Sequence, residues 1–214
     1  MQFPEKCLGK FYPDYIIRGI SDITPPLDLD DEISAIFFDY DNSVAGFGEE
    51  IKEPERKVLE RLGKTSIKLF VVTNAHASRI NTIKDNLAGL IDPDNIINPE
   101  CCADNCVSSI MTEKPSSNMI KYALARHSLK SSQVLLVGDR IFNDIIAGNR
   151  AGVRTVLVSP LGREHTAVKY LQRPVERLLR AVWGLPVETE DFPQTLTPTP
   201  LQNEVWYNSA EPVQ

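Results

Sequence analysis

The sequence has 214 residues, of which 42% are hydrophobic and 24% are charged, and its formal net charge is −6 at pH 7. This length suits one domain with a full hydrophobic core, and the composition is ordinary for a globular protein. The acidic balance excludes broad, non-specific binding to nucleic acid, and no apolar run approaches the roughly 20 residues of a membrane-spanning helix.

Residues 1–30 precede the first predicted strand and form a lead-in segment with a cluster of aromatic and aliphatic residues, which we expect to pack on the core. The start of this segment lacks the apolar stretch of a signal peptide and the Arg-rich, acid-poor composition of a transit peptide. We therefore expect an intracellular, cytoplasmic protein. In that compartment the four cysteines, Cys7, Cys101, Cys102 and Cys106, are expected to be free thiols.

Four short apolar runs predict buried strands. They span residues 33–38, 67–72, 134–137 and 155–158. Each run is rich in Ile, Val, Leu or Phe and shows no alternation with polar residues. That pattern is typical of parallel strands that are covered on both faces.

Segments with apolar residues at helical spacing lie between these runs, at 53–62, 78–90, 119–125 and 143–151. The order strand, helix, strand, helix is typical of α/β proteins. We therefore predict a doubly wound parallel sheet, as in a Rossmann-like core, over residues 31–185.

Residues 163–183 combine apolar residues at helical spacing with five positive charges, and Pro174 predicts a kink. Two alternatives remain open for this segment. Its apolar face packs on the helices of the sheet, or it makes a peripheral contact with the inner face of an anionic membrane. Residues 186–214 are rich in Pro, Thr, Glu and Gln, which predicts a disordered tail.

Polar residues follow three of the predicted strands and open one predicted helix. Ligands of an open parallel sheet bind beyond the carboxyl ends of its strands, so we expect these side chains to converge. They are Asp39 and Asp41 after the first strand, Thr73 and Asn74 after the second, Lys114 at the helix start, and Asp139 and Asp144 after the third.

The acidic residues of this set suit phosphoryl transfer, in which catalysis is largely positioning and charge stabilisation. Asp39 and Asp139 offer the hard oxygen ligands that Mg²⁺ prefers. A carboxylate such as Asp39 can attack phosphorus to form an aspartyl-phosphate. Asp41, two residues on, can protonate the leaving oxygen and later activate water.

The remaining residues of the set supply a cation and hydrogen-bond donors for phosphate oxygens, through Lys114, Thr73 and Asn74. Each also has a simpler interpretation. Thr73 and Asn74 fit a strand exit followed by a helix cap, and Lys114 fits a surface lysine. Asp144 also fits a cap of the helix that follows it.

Four motifs in this order resemble those of the magnesium-dependent phosphatases of the haloacid dehalogenase superfamily. They are Asp39-Tyr40-Asp41-Asn42-Ser43, Val71-Val72-Thr73-Asn74, Lys114-Pro115 and the run from Val137 to Asp144. The resemblance implies that Asp39 is the nucleophile and Asp41 the acid/base, and that Thr73 and Lys114 bind phosphate. It also implies that Mg²⁺ is held by Asp39, Asp139, Asp144 and the backbone carbonyl of Asp41.

Residues 20–25 and 138–152 are similar to the YqeG-type branch of the capless subfamily IIIA, which includes phosphatidylglycerophosphate phosphatases. The resemblance implies dephosphorylation of phosphatidylglycerophosphate to phosphatidylglycerol, a step of phospholipid biosynthesis. Two features depart from the pattern. Ser43 stands where Thr is usual, and segment 98–112 is longer than the usual approach to Lys-Pro.

The spacing of the motifs bears on the substrate. The chain between Asp41 and Thr73, and between Thr73 and Lys114, has room for one helix and one strand but not for a folded cap. We therefore expect an open site and a phosphomonoester that brings its own bulk, with a phosphorylated lipid as first choice. Alternatives are a phosphoprotein, a sugar phosphate or a nucleotide and, in another class, a phospho-accepting receiver or a non-catalytic binding module.

Overall fold

The computed structural model describes residues 10–27, 32–105, 112–162 and 173–200. Within these ranges the strands form one sheet in the order β4-β3-β2-β5-β6-β1-β7. All neighbouring strands pair in parallel except β7, which pairs antiparallel with β1. The strands are β1 Tyr15–Ile17, β2 Ala35–Phe38, β3 Lys68–Val72, β4 Ile96–Ile97, β5 Val134–Gly138, β6 Arg154–Val158 and β7 Thr197–Pro198.

Helices cover both faces of this sheet. They are α1 Glu53–Leu62, α2 Ala77–Asn86, α3 Asn118–Arg126, α4 Ile146–Ala151 and α5 Arg173–Val182. Apolar residues of α1 and α2 join one buried cluster with the sheet, and those of α3 and α4 join a second cluster on the other face. The predicted doubly wound α/β sheet is therefore confirmed.

The pleat of β2 shows how both clusters form from one strand. Ile36 and Phe38 belong to the cluster with α1 and α2, whereas Ala35 and Phe37 belong to the cluster with α3 and α4. Each large apolar side chain buried in this way contributes about 1.5–3 kcal/mol. An apolar residue is thus required at every position of the strand, which explains the unbroken hydrophobic run in the sequence.

The segments that flank the predicted core are part of the sheet. The lead-in segment contributes β1, which lies between β6 and β7. A disordered tail from residue 186 is a wrong prediction for 186–200, because β7 pairs with β1 and Phe192 and Thr199 are buried. The Thr199 hydroxyl donates to the carbonyl oxygen of Pro13 at 2.7 Å. Residues 201–214 lie outside the described residues.

The basic amphipathic segment is helical over α5, and its residues 163–172 lie outside the described residues. Packing of its apolar face on neighbouring helices is wrong for three residues, because Val175, Leu178 and Val182 are 49%, 65% and 71% exposed. The buried residues of α5 are instead polar, Glu176 and Arg180. None of the described helices is both long and apolar enough to span a membrane.

Two of the four cysteines can be placed. Cys101 and Cys102 are free thiols, as predicted, in the segment that follows β4. Cys7 and Cys106 lie outside the described residues.

Candidate active site

The loop after β2 carries the first two predicted site residues. Asp39 is buried, and its backbone N–H donates to the carbonyl oxygen of Val137 on β5 at 2.8 Å. The chain then turns sharply, because the N–H groups of Val44 and Ala45 both donate to the carbonyl oxygen of Tyr40. Asn42 adopts a left-handed conformation with φ of 63° in this turn, which asparagine tolerates better than most residues.

Thr73 and Asn74 follow β3 at the same edge of the sheet. The Thr73 N–H donates to the carbonyl oxygen of Ile97 at 3.0 Å, and its hydroxyl accepts from the N–H of Ala75 at 3.1 Å. The Asn74 amide pairs with the backbone of Lys114 at both ends. Its Nδ2 donates to the Lys114 carbonyl at 3.0 Å and its Oδ1 accepts from the Lys114 N–H at 2.8 Å. Asn74 therefore fixes the position of Lys114.

Lys114 is fully buried between two of the predicted acidic residues. Its Nζ lies 2.5 Å from Oδ1 of Asp39 and 2.7 Å from Oδ1 of Asp144. Burial lowers the pKa of Lys114, but the carboxylates of Asp144 and Asp39 more than offset this, so its pKa is raised above the ordinary value. Lys114 is therefore a permanent cation in the site, and the surface-lysine alternative is wrong.

Asp144 reaches the site through an unusual turn. Residues Ile141–Ile145 form a π-helical turn ahead of α4, so the predicted helix over 143–151 is regular only from Ile146. Asp144 lies against Gly138, where an added Cβ would come within 2.4 Å of the Asp144 side chain. Its Oδ2 accepts from the N–H of Arg140 at 3.1 Å. A glycine at 138 is thus required for Asp144 to enter the cluster.

Three buried carboxylates form a group that fits a hard cation. Asp39, Asp139 and Asp144 each offer an oxygen, and these oxygens lie within 4.8 Å of one another. Oδ2 of Asp39 and Oδ1 of Asp139 are buried and accept no hydrogen bond from the described residues. A set of carboxylate oxygens, two of them without a hydrogen bond from the residues described, is the kind of donor set that binds Mg²⁺.

The same burial perturbs the acidity of two of these groups. Burial raises the pKa of Asp39 to about 7, although Lys114 acts in the opposite direction. Burial likewise raises the pKa of Asp139 to about 6, opposed by Arg173 and Arg140. Removal of charge from water favours the neutral form of a carboxyl group. A bound cation would reverse this preference, which again fits the donor set.

Helix α5 supplies site residues that sequence reasoning missed. Arg173 pairs with the Asp139 carboxylate, and its Nη1 donates to the Asp139 carbonyl at 2.9 Å. Arg180 donates to the same carbonyl at 3.0 Å. Glu176 binds Arg173 and accepts from the N–H of Phe142 at 3.1 Å. These three residues recur at helical spacing opposite the apolar stripe, and that polar stripe is the signal that could have indicated them.

Arg79 in the first turn of α2 is a second residue that sequence reasoning missed. Its two terminal nitrogens donate to the two carboxylate oxygens of Asp41, at 3.0 and 2.7 Å. Its guanidinium carbon lies 4.6 Å from the centre of the Phe47 ring. The only sequence signal for Arg79 is its place in a helix that begins just after the second motif, at the site edge of the sheet.

The predicted site residues therefore fall into two groups. Asp39, Lys114, Asp139 and Asp144 are brought together in one buried, ion-paired cluster. The remaining three lie at the same edge but make other contacts: the Asp41 carboxylate faces Arg79, the Thr73 hydroxyl accepts from its own loop, and Asn74 holds the Lys114 backbone.

Sequence comparisons bear on the identity of this site. A family model described as HAD-hydrolase-like matches residues 111–176, the region of Lys114, Asp139 and Asp144. The Probable phosphatase YqeG of Bacillus subtilis is 24% identical over 172 residues, which cover 79% of this chain and 90% of that protein. These two matches fit the haloacid dehalogenase superfamily.

Two further comparisons concern narrower regions or the fold alone. Phosphatidylglycerophosphate phosphatase 1, chloroplastic/mitochondrial, of Arabidopsis thaliana is 48% identical over 48 residues, 22% of this chain and 13% of that protein. The solved structure of NagD from E. coli K-12 aligns with a TM-score of 0.50 at 13% identity, over 66% of this chain and 93% of that chain. The latter supports the haloacid dehalogenase fold.

Proposed function

We propose that this protein is a Mg²⁺-dependent phosphomonoesterase of the haloacid dehalogenase type whose substrate is phosphatidylglycerophosphate. The observation that carries the proposal is the buried cluster of one lysine and three carboxylates at the carboxyl edge of the sheet. Such a cluster is expensive to bury. Its carboxylate oxygens suit a bound cation and its lysine suits a phosphate group.

Asp39 is the proposed nucleophile. Lys114 binds its Oδ1 at 2.5 Å, while Oδ2 is left without a hydrogen bond from the described residues. Attack requires the ionised carboxylate, and Lys114 favours that form against the effect of burial. Attack on phosphorus would give an aspartyl-phosphate, which water then hydrolyses.

Magnesium is the proposed cofactor. Asp39, Asp139 and Asp144 would hold it, together with the backbone carbonyl of Asp41. When bound, Mg²⁺ supplies positive charge that screens the carboxylates from the phosphate and polarises it. Arg173 and Arg180 hold the carbonyl of Asp139, so they would orient this ligand.

Asp41 is the proposed general acid and base. It would protonate the leaving oxygen and later accept a proton from the attacking water. Donors for the phosphate oxygens are proposed to be Lys114, Thr73 and the hydroxyl of Ser43, which is buried and unbonded within the described part of the chain. Asn74 would act on the phosphate through the position of Lys114.

The lipid substrate rests on three further observations. The chain between β2 and β3 provides helix α1, and that between β3 and Lys114 provides helix α2 and β4, within the described residues. This supports an uncovered site. The Arabidopsis thaliana protein to which 22% of this chain is similar is named a phosphatidylglycerophosphate phosphatase. Helix α5, which binds Asp139, exposes an apolar stripe on its outer side.

That stripe supports a peripheral contact through 163–183 with a membrane at its inner, cytoplasmic face. Val175, Leu178 and Val182 lie on one side of α5 and Arg177 is exposed near them. Apolar residues beside a basic residue suit insertion at the level of anionic headgroups. Contact there would bring a lipid-borne phosphate towards the site that α5 helps to build.

One assay tests the function. Purified protein with Mg²⁺ would be given an aryl phosphate and phosphatidylglycerophosphate in micelles, beside Asp39→Asn. We expect wild type to cleave both and to favour the lipid, and Asp39→Asn to lose at least about 1,000-fold in rate because no aspartyl-phosphate forms. Equal, slow release by both proteins would exclude the enzyme. Cleavage of the aryl phosphate alone would exclude the lipid and favour another phosphomonoester.

A further inference from the structure

Arg79 is the most accessible of the arginine and lysine side chains described at the site. Its side chain is 35% exposed, compared with 0% for Lys114 and 11% for Arg173. The Asp41 side chain with which it pairs is 18% exposed. Arg79 therefore marks the mouth of the site, defined here as its solvent-exposed part, and is more open to an incoming substrate than the buried cluster.

The pairing of Arg79 with Asp41 conflicts with the proposed role of Asp41. Both carboxylate oxygens of Asp41 accept hydrogen bonds from Arg79. Contact between Asp41 and a leaving oxygen therefore competes with this pair. The guanidinium would have to release at least one oxygen, and a second anionic group of the substrate would take its place. The planar fork of a guanidinium matches phosphate as well as carboxylate.

Phe47 provides an anchor for such an exchange. Phe47 is 43% exposed, and the Arg79 guanidinium carbon lies over its ring, 4.6 Å from the ring centre. A cation stacked on an aromatic face keeps that attraction while its hydrogen-bonding edge turns. The guanidinium can therefore change partners without leaving the mouth of the site.

The charges on the other side of the α2 start restrict where a second anion can bind. His76 contacts Glu100 and Glu113, each at 3.2 Å. Two carboxylates there disfavour an anionic group. A substrate with two anionic groups would then place one on the buried cluster and the other on Arg79.

We propose that Arg79 is a specificity-determining residue that binds a second anionic group of the substrate, and that this exchange releases Asp41. The inference rests on the proposed phosphatase function. It assigns the substrate class as phosphomonoesters whose leaving alcohol carries a phosphodiester. A lipid headgroup and its soluble, deacylated form share this chemistry.

The test compares two soluble substrates. One is glycerol phosphate, and the other is deacylated phosphatidylglycerophosphate, which adds the phosphodiester without acyl chains. We expect wild type to favour the second by at least about tenfold in kcat/KM. Arg79→Gln should lower this preference by about tenfold or more, since charge-assisted hydrogen bonds to the diester are lost. The preference of Arg79→Lys should lie between those of wild type and Arg79→Gln, because an ammonium group keeps the charge but cannot donate two parallel hydrogen bonds.

Controls separate folding, acyl chains and the function itself. Arg126→Gln removes an exposed arginine at the end of α3 and should keep the wild-type preference. Cleavage of the diacylated lipid in micelles shows whether acyl chains increase the preference further.

Two outcomes would overturn the role of Arg79 and leave the phosphatase function intact. One is a wild type that cleaves both soluble substrates without preference, and the other is an Arg79→Gln variant with an unchanged ratio of the two kcat/KM values. A wild type that cleaves neither, like Asp39→Asn, would remove both proposals.

As a second measurement, glycerophosphoglycerol, which has the diester but no phosphomonoester, should inhibit cleavage of glycerol phosphate by wild type. The inhibition constant should rise at least about fivefold in Arg79→Gln, consistent with the loss of a charge-assisted hydrogen bond. The inhibition constant does not depend on the absolute rate of the variant. Equal inhibition of the two proteins would count against a diester site at Arg79.

Discussion

At the scale of single residues, Lys114 neutralises the repulsion between the buried carboxylates of Asp39 and Asp144. It contacts Asp39 and Asp144 at 2.5 and 2.7 Å and has no exposed surface. Without a cation, two negative charges would face each other away from water. The free energy of unfolding, and not only the activity, therefore depends on this residue.

The variant Lys114→Met tests this dependence. We expect the free energy of unfolding in the metal-free protein to fall by roughly 3–5 kcal/mol at pH 8, because the carboxylates lose their partner. The loss should be smaller at pH 5, where the carboxyl groups can take up protons instead. Urea unfolding followed by circular dichroism measures both values.

A matched control for that variant is Lys121→Met, which removes an exposed lysine on α3. It should change the unfolding free energy by less than about 0.5 kcal/mol. Similar losses for the two variants, or a loss that does not depend on pH, would show that Lys114 is not the charge partner described above.

At the scale of elements, the two faces of α5 lie in different environments. Arg173, Glu176 and Arg180 face the site, and Val175 and Leu178 face away from the protein. The sequence pattern predicts the helix and its two faces, but periodicity alone does not say which face turns inward. Here the polar face turns inward, because Asp139 and the N–H of Phe142 need partners.

Membrane contact through α5 can be tested with Leu178→Gln combined with Val182→Gln. We expect the fraction of protein that floats with anionic vesicles to fall at least about tenfold, because burial of each side chain in the interface contributes about 1.5–3 kcal/mol. Hydrolysis of a soluble aryl phosphate reports separately on the catalytic site.

The control for flotation is Lys57→Gln on α1, an exposed residue paired only weakly with Glu53. It should leave vesicle binding as in wild type. Unchanged flotation of the double variant, or a wild type that does not float at all, would rule out this face as the point of contact.

At the scale of the whole molecule, stability depends on pH through the acidic site. The pKa of Asp39 is about 7 and that of Asp139 about 6 in the folded protein, above the ordinary value of 3.8. Between about pH 4 and pH 7 the unfolded chain has already released protons that the folded protein keeps. The unfolded state therefore gains relative stability as pH rises through this window.

We accordingly expect the melting temperature of the metal-free protein to fall from pH 5 to pH 7.5, and excess Mg²⁺ to raise it more at pH 7.5 than at pH 5. Thermal unfolding in EDTA and in Mg²⁺ provides the measurement. The variant with Asp39→Asn and Asp139→Asn should lose most of this pH dependence. A metal-free wild type that becomes more stable over the same range would contradict the raised pKa values.

How much of the fold and the site the sequence predicts depends on whether the interacting residues are close or distant in sequence. β2, β3, β5 and β6 are predicted because burial on both faces leaves an unbroken apolar run in each. Asp39, Lys114, Asp139 and Asp144 are predicted because parallel strands end at one edge. Arg79 and Arg173 are missed because their partners are distant in sequence, and nothing local marks an arginine that will meet a carboxylate.

β1 and β7 are missed for a related reason. They have three and two residues, too few for any hydrophobic period to be read. Their pairing also joins the two ends of the described chain, Tyr15 with Pro198. Local sequence does not indicate that two segments so distant in the chain will pair.

The pairing of β1 with β7 also affects how the protein behaves among its own copies. An exposed strand edge is a template for a strand of another chain. β1 lies between β6 and β7, the buried Thr199 hydroxyl binds Pro13, and the N–H of Arg18 donates to the carbonyl of Pro193 at 2.8 Å. Residues 186–200 thus cover the edge of β1, and the outer edge is then a two-residue strand that includes Pro198, which offers little backbone for pairing with another chain.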